Sequence, residues 1–396
     1  MKQSYKSFPE KGEGEFMKKL KFGMVGGGNG AFIGNVHRRG AQMDNLARLT
    51  AGCFTRNPEK NLETAAAWDV DDPDRVYANY EEMAEKESAR ADCIDFVTIV
   101  TPTDTHFAIA KCFLEHGINV VCDKPICLTS EEGETLKAIA DEKGLQFGVT
   151  YTYASYAAIR QAREMIRNGA IGEIINVIAE YPQDWLIVST VAQSSDQAMW
   201  RLDPKRAGST ACCSDIGTHL EALISRMTGL HPEEVLARFT HYKGSPLEHD
   251  IQVLMKLTGG VPGMMWASQI ATGNDCGVRI RVYGDKGSLE WRHTSPMELV
   301  YAPLNHPVRT ITANREYNDP ACLELCRLPA GHPEGFYEAF GNVYHAYCAH
   351  LLAKRDGTDA GTLSYPTIED GLRGLYFTEA CLASDNDGNV WKKLKS

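Results

Sequence analysis

The 396-residue chain has no run of about 18 apolar residues, so no transmembrane helix is expected. It lacks an excess of positive charge: 41 Lys and Arg stand against 52 Asp and Glu, a formal net charge of −11. Such a surface repels phosphate backbones and anionic lipid, which excludes nucleic acid and membrane as main partners but leaves room for a local basic pocket. The first twenty residues lack the apolar segment of a secretory leader and are mostly Lys, Glu, Gly and Ser. The twelve cysteines form no Cys-x-x-Cys pair and show no zinc spacing. Cys322, Cys326 and His332 fall short of the tetrahedral set that a closed zinc site needs, so no metal is expected. Several cysteines (Cys53, Cys112, Cys122) sit inside apolar runs as small hydrophobes, and a reducing, cytoplasmic compartment fits them. Internal repeats and low-complexity tracts are absent too.

What is present is enough sequence for roughly two domains. A polar extension, residues 1–19, precedes a first domain at 20–150 and a second at 151–396. In the first, Lys21–Val25, Leu49–Phe54, Ile94–Val100, Asn119–Cys122 and Gln146–Val149 read as strands. Helical stretches such as Phe107–His116 and Glu131–Glu142 lie between them. This alternation predicts α/β architecture with a doubly wound parallel sheet, and the nearly unbroken apolar run Ile94–Val100 suits a strand covered on both faces. After Tyr151 a helix over Ala157–Asn168 stops at Gly169. Apolar runs separated by glycine turns follow, at Ile174–Tyr181, Glu234–Tyr242, Ile251–Leu257, Gly263–Ala271, Val278–Tyr283 and Ser288–Arg292. They predict an α+β domain on an open, mostly antiparallel sheet. Tyr301–Pro333 reads as loop, and helices are expected at Gly335–Lys354 and Thr367–Ser384.

The first strand runs into Gly26-Gly27-Gly28-Asn29-Gly30-Ala31, and a helix opens near Ile33. Gly26, Gly28 and Ala31 satisfy the G-x-G-x-x-G/A spacing of a dinucleotide-binding turn, whose helix N-terminus offers N–H groups and a positive dipole to a diphosphate. Gly34 supplies a second register. Gly26, Gly28, Asn29, Gly30, Ala31, Phe32 and Ile33 are therefore candidate cofactor contacts. The second strand ends Cys53-Phe54-Thr55-Arg56, without the carboxylate that holds ribose hydroxyls in NAD-specific domains. Thr55 and Arg56 face that end, and Arg56 is able to accept a 2′-phosphate; NAD(H) and NADP(H) both stay open.

Two clusters carry chemistry. Asp123-Lys124-Pro125 follows a strand end, where doubly wound folds place their ligands, and a lysine ammonium there can stabilise a developing alkoxide. Asp215-Ile216-Gly217-Thr218-His219 puts a carboxylate and an imidazole four residues apart, on one face if helical. A histidine suits proton removal near neutral pH, and Asp215 can bind a substrate hydroxyl or orient the ring. Together with Thr101-Pro102-x-x-x-His106, Gly169–Ile174, Gly284–Glu290 and Thr367–Leu372, these motifs resemble the Gfo/Idh/MocA oxidoreductases in order, from about Leu20 to the end.

The resemblance implies a Rossmann domain joined to an open-sheet α/β domain, usually in homo-oligomers such as dimers or tetramers. It implies NAD(P)-dependent hydride transfer at a secondary alcohol of a small-molecule sugar, glycoside (its 3-hydroxyl included) or inositol. Carried onto this chain, Lys124 and His219 are catalytic and Asp215 holds substrate, while Thr101, Pro102, Thr103, His106 and Asp123 lie along the cofactor. Asp123 stands where Glu is more usual, and Ser209–Cys213 replaces a glycine pair. Tyr153, Tyr156, Asp184, Trp185, Trp200 and Arg201 supply aromatic and polar groups suited to a sugar ring. Two other readings are a redox-assisted glycosidase that retains its NAD and a nicotinamide-sensing binding protein. Retention of both Lys124 and His219 speaks against the second.

Overall fold

The structure is a computed structural model that describes residues 19–187, 201, 203–359, 361 and 364–395. Most of the polar extension therefore lies outside the described residues, as does Trp200.

The first sheet has the order β2-β1-β3-β4-β5, with β1 at Leu20–Gly26, β2 at Ala47–Cys53, β3 at Phe96–Val100, β4 at Asn119–Cys122 and β5 at Phe147–Val149. All its pairings are parallel. Every residue of β3 is buried, as a strand covered on both faces requires. Helices α1 (Phe32–Gln42), α2 (Pro58–Ala67), α3 (Tyr80–Ser88), α4 (His106–Glu115) and α5 (Ser130–Lys143) make the crossovers. Asn57 caps α2, Asn79 caps α3 and Thr129 caps α5, each accepting from a backbone N–H three residues on. Because β2 lies on one side of β1 and β3 on the other, the winding reverses there, and a crevice opens beyond Gly26 and Val100.

Helix α6 (Ala157–Arg167) leads into a nine-stranded sheet ordered β13-β12-β11-β10-β6-β9-β8-β7-β14. Its strands are β6 (Ile174–Pro182), β7 (Pro232–Thr240), β8 (Asp250–Leu257), β9 (Val261–Ser268), β10 (Arg279–Gly284), β11 (Gly287–Arg292), β12 (Glu298–Pro303), β13 (Arg309–Thr312) and β14 (Lys392–Lys393). Among the described residues only β6 and β9 pair in parallel in this sheet, so it is mixed but mostly antiparallel. One face is covered by α6 and by α7 (Thr218–Thr228), whose Leu220, Leu223 and Ile224 join Val177, Val253 and Ile280 in one core.

The loop expected over Tyr301–Pro333 is corrected: it holds the end of β12, all of β13 and a helical turn at Pro320–Leu323. Strand β13 is an edge strand with exposed or half-buried residues throughout, so no apolar alternation marks it in the sequence. Of the last two helices, α8 (Phe336–Arg355) returns to the first sheet, and α9 (Ile368–Asn386) lies between β7 of the second sheet and α5 of the first domain. Phe340, Tyr344 and Tyr347 of α8 share a core with Phe22, Phe96 and Val121. The packing thus crosses the expected division near residue 150.

Candidate functional site

A cleft of about 1250 Å³ lies over the ends of β1, β3 and β4 and is closed on its far side by the nine-stranded domain. At its first wall Gly26 and Gly27 have φ of +82° and +70°, a conformation that favours glycine. The helix seats against this turn through Gly34, where a Cβ would stand 1.9 Å from the Gly27 carbonyl oxygen. Close helix packing therefore belongs to Gly34, the glycine of the second register, while Ala31 precedes α1 and lines the cleft. No side chain caps the first turn of α1, which leaves its N-terminus for an anion.

Of the expected cofactor contacts, Gly26, Ala31, Phe32, Ile33, Thr55, Arg56, Thr101, Pro102, Thr103, His106, Asp123 and Lys124 line the cleft. Gly28, Asn29 and Gly30 are not in its wall, and the Gly28 and Asn29 N–H groups are engaged by Phe54 O at 3.2 Å and Thr64 Oγ1 at 3.0 Å. A Cβ at Gly26 would collide with Thr101, so the turn needs its glycine, and the uncapped helix end adjoins the cleft; both fit a dinucleotide. His106 is a brace: its ring nitrogens lie 2.8 Å from Pro125 O and 2.7 Å from Thr101 O, tying two strand-end turns together. Burial lowers its pKa.

Lys124 leaves the end of β4 and crosses to the second domain. Its Nζ donates to Asp215 Oδ1 at 2.8 Å and to Asp215 O at 2.5 Å. The other oxygen, Oδ2, accepts from Gln269 Nε2 at 2.8 Å, and Arg201 Nε stands 3.7 Å from Oδ1. Burial would push the Asp215 carboxyl up, but the charges of Lys124 and Arg201 bring it down to about 2. The helical face expected for Asp215 and His219 needs correction. Cys213–Gly217 forms a π-helical turn ahead of α7, so the two residues are not related by α-helical stacking. Such turns recur at functional sites.

His219 is buried, with rings of Tyr153 and Tyr181 4.9 and 6.4 Å away and Tyr151 at 5.8 Å. Its Nδ1 has no hydrogen-bond partner among the described residues. Desolvation, and then the Lys124 charge, lower its pKa to about 3, so the ring is neutral near pH 7.

Asp123 forms the other side of this centre. Its Oδ1 accepts from Lys124 N and from Thr150 Oγ1, each at 2.9 Å, and His37 Nε2 approaches to 3.9 Å. Neighbouring His37, Lys124 and His106 hold the carboxyl below the usual carboxylate range despite its partial burial. His37 Nδ1 in turn lies 2.8 Å from the Tyr344 hydroxyl.

On the substrate side, Tyr153, Trp185 and Arg201 line the cleft with Tyr181 and Gln183. Tyr156 and Asp184 do not: Tyr156 is buried behind and meets His293 Nε2 at 3.1 Å, and Asp184 accepts from Gly273 N at 2.9 Å. Trp200 lies outside the described residues. Sequence reasoning missed His37, Thr150, Glu248 and Gln269, which belong to no local motif; only their partners distinguish them.

A model of the oxidoreductase family with an NAD-binding Rossmann fold, GFO_IDH_MocA, matches residues 20–151, and one of a GFO/IDH/MocA C-terminal domain matches residues 159–290. An uncharacterized oxidoreductase of Bacillus subtilis (strain 168), YfiI, is 38% identical over 392 residues, 97% of this chain and 99% of its own. The crystal structure of an inositol dehydrogenase homolog complexed with NAD+ from Azotobacter vinelandii matches with a TM-score of 0.91 and 36% identity, over 95% of this chain and 97% of that one. A structure of an inositol dehydrogenase homolog from the same organism, complexed with NADH and myo-inositol, gives 0.88 and 34%, over 95% and 98%. The chain belongs to the Gfo/Idh/MocA family of oxidoreductases, with a nicotinamide dinucleotide as its cofactor.

Proposed function

We propose that this chain is an NAD(P)-dependent dehydrogenase of a secondary alcohol on a cyclitol or sugar, with His219 as the proton acceptor, Lys124 as the stabiliser of the alkoxide and Asp215 as the anchor of a substrate hydroxyl. The observation that carries this reading is the meeting of Lys124 and Asp215 across the two domains beside neutral His219, in the cleft that the glycine turn opens. The dinucleotide, when bound, supplies the hydride acceptor or donor. The residues of the chain do the rest. Neutral His219 takes the hydroxyl proton, and the Lys124 ammonium, held in a poorly solvated site, stabilises charge on the carbinol oxygen. Asp215, kept ionised, accepts from a neighbouring hydroxyl and fixes the ring. Tyr153, Tyr181 and Trp185 offer flat, amphipathic surfaces to a polyol.

A cyclitol is favoured over a glycoside because the inositol dehydrogenase homologs resemble the chain over nearly all its length. The test is a panel of inositols, free sugars and glycosides with NAD and with NADP, followed by nicotinamide absorbance and by product analysis. Net nicotinamide reduction with a cyclitol is expected. Glycoside cleavage with no net reduction would replace this reading by the redox-assisted glycosidase.

A further inference from the structure

The segment leading into Asp215 lacks the glycine pair expected there and carries Ala211-Cys212-Cys213 instead. What shapes it comes from far along the chain. Glu248, 1% exposed, sits just ahead of β8. Both its oxygens accept from Ala211 N at 3.0 Å, and Oε1 also accepts from Cys213 N at 2.8 Å. Its backbone carbonyl takes Cys212 N at 3.3 Å. Three successive backbone donors at the start of a helical segment are thus satisfied by one residue of another element. Helix starts leave such donors orphaned, and a carboxylate there is favoured by the dipole as well.

The neighbouring strand completes the hold. Gln269 follows β9, donates through Nε2 to Asp215 Oδ2 at 2.8 Å, and is tied by its own N–H to His249 O at 2.8 Å. Strands β8 and β9 pair here, Asp250 against Ser268, so Gln269 stands opposite His249, with Glu248 one residue beyond at the same end of the sheet. One holds the backbone before the π-helical turn and the other holds the carboxylate within it.

We propose that Glu248 is a positioning residue: its carboxylate fixes the 211–213 backbone and thereby the direction in which the π-helical turn presents Asp215 and His219 to the cleft. This rests on the functional reading of those two residues given above. Displacing reacting groups by about 1 Å costs on the order of 10²-fold in rate, whereas a lost structural bond costs stability alone.

The test compares Glu248→Gln, Glu248→Ala and Lys124→Ala in the full-length chain, by near-UV circular dichroism, NADH affinity from fluorescence titration, and kcat and KM with the best polyol of the panel. Glu248→Gln keeps one carbonyl acceptor at the same length, so kcat is expected to fall about 10-fold and in Glu248→Ala about 100-fold. NADH affinity, set on the other domain, stays within about twofold in both. Gln269→Leu serves if Glu248→Ala does not fold, and it is expected to raise KM for the polyol by removing one of the supports of Asp215. A folded Glu248→Gln protein with wild-type kcat, or a kcat loss that merely tracks the unfolded fraction, overturns the positioning role. Full turnover in Lys124→Ala overturns the functional reading itself, whereas loss there with none in Glu248→Gln overturns this inference alone.

Discussion

At the scale of single residues, charge sets the roles. Lys124 lies beside both Asp215 and His219 and pushes both pKa values down, one by attracting an anion and one by repelling a cation. Replacing Lys124 by Met should therefore raise the His219 pKa from about 3 toward the unperturbed 6.5, read as a shift of its ring-proton titration by NMR. An unchanged titration would show that burial alone depresses it. The linkage has a definite sign. A neutral buried histidine contributes stability above its unfolded pKa of 6.5, and that contribution is lost as pH falls toward about 3. Gly34 makes a second prediction. A methyl there meets Gly27 backbone at 1.9 Å, so Gly34→Ala should destabilise by about 1–3 kcal/mol in thermal melts and weaken NADH binding. At the ribose end, Arg56→Glu should move the ratio of kcat/KM values toward NAD by about 10-fold or more, because a carboxylate repels a 2′-phosphate and accepts from ribose hydroxyls. A ratio that does not move would place Arg56 outside the ribose contact.

At the scale of elements, α8 links the halves of the site. Its Tyr344 hydroxyl meets His37 Nδ1 at 2.8 Å and Thr98 Oγ1 at 3.3 Å, and His37 faces Asp123 beside Lys124. Tyr344→Phe removes that partner from a fully buried imidazole, and urea unfolding should show a loss of about 1–3 kcal/mol. The elements themselves were largely legible from local pattern. The nearly unbroken apolarity of β3 and the helical stretch of α5 are properties of a few consecutive residues. Strand β13 escaped because an exposed edge strand needs no apolar face, and the π-helical turn escaped because Glu248, which holds the backbone entering it, lies far along the chain.

At the scale of the molecule, the cores interlock across the chain. Ala222, Ile368 and Leu375 pack with Val97 and Phe113, and Phe340, Tyr344 and Tyr347 pack with Phe22 and Phe96. The Rossmann sheet therefore owes part of its cover to the last hundred residues, which argues for one cooperative unit. Calorimetry is expected to give a single transition coincident with loss of near-UV circular dichroism. Two separated transitions would show that the halves fold independently.

By itself the sequence determined the parallel sheet, the glycine turn, the lysine at a strand end and the Asp215/His219 pair, because apolar period, turn chemistry and short motifs are written within a few neighbouring residues. Tertiary structure alone decided what surrounds them. It brought Lys124 to Asp215 across 91 positions and His37 to Tyr344 across 307, set Glu248 under the turn, and moved Tyr156 and Asp184 out of the cleft wall. Hydrogen bonding and desolvation depend on distance in space, and no window of sequence contains that distance.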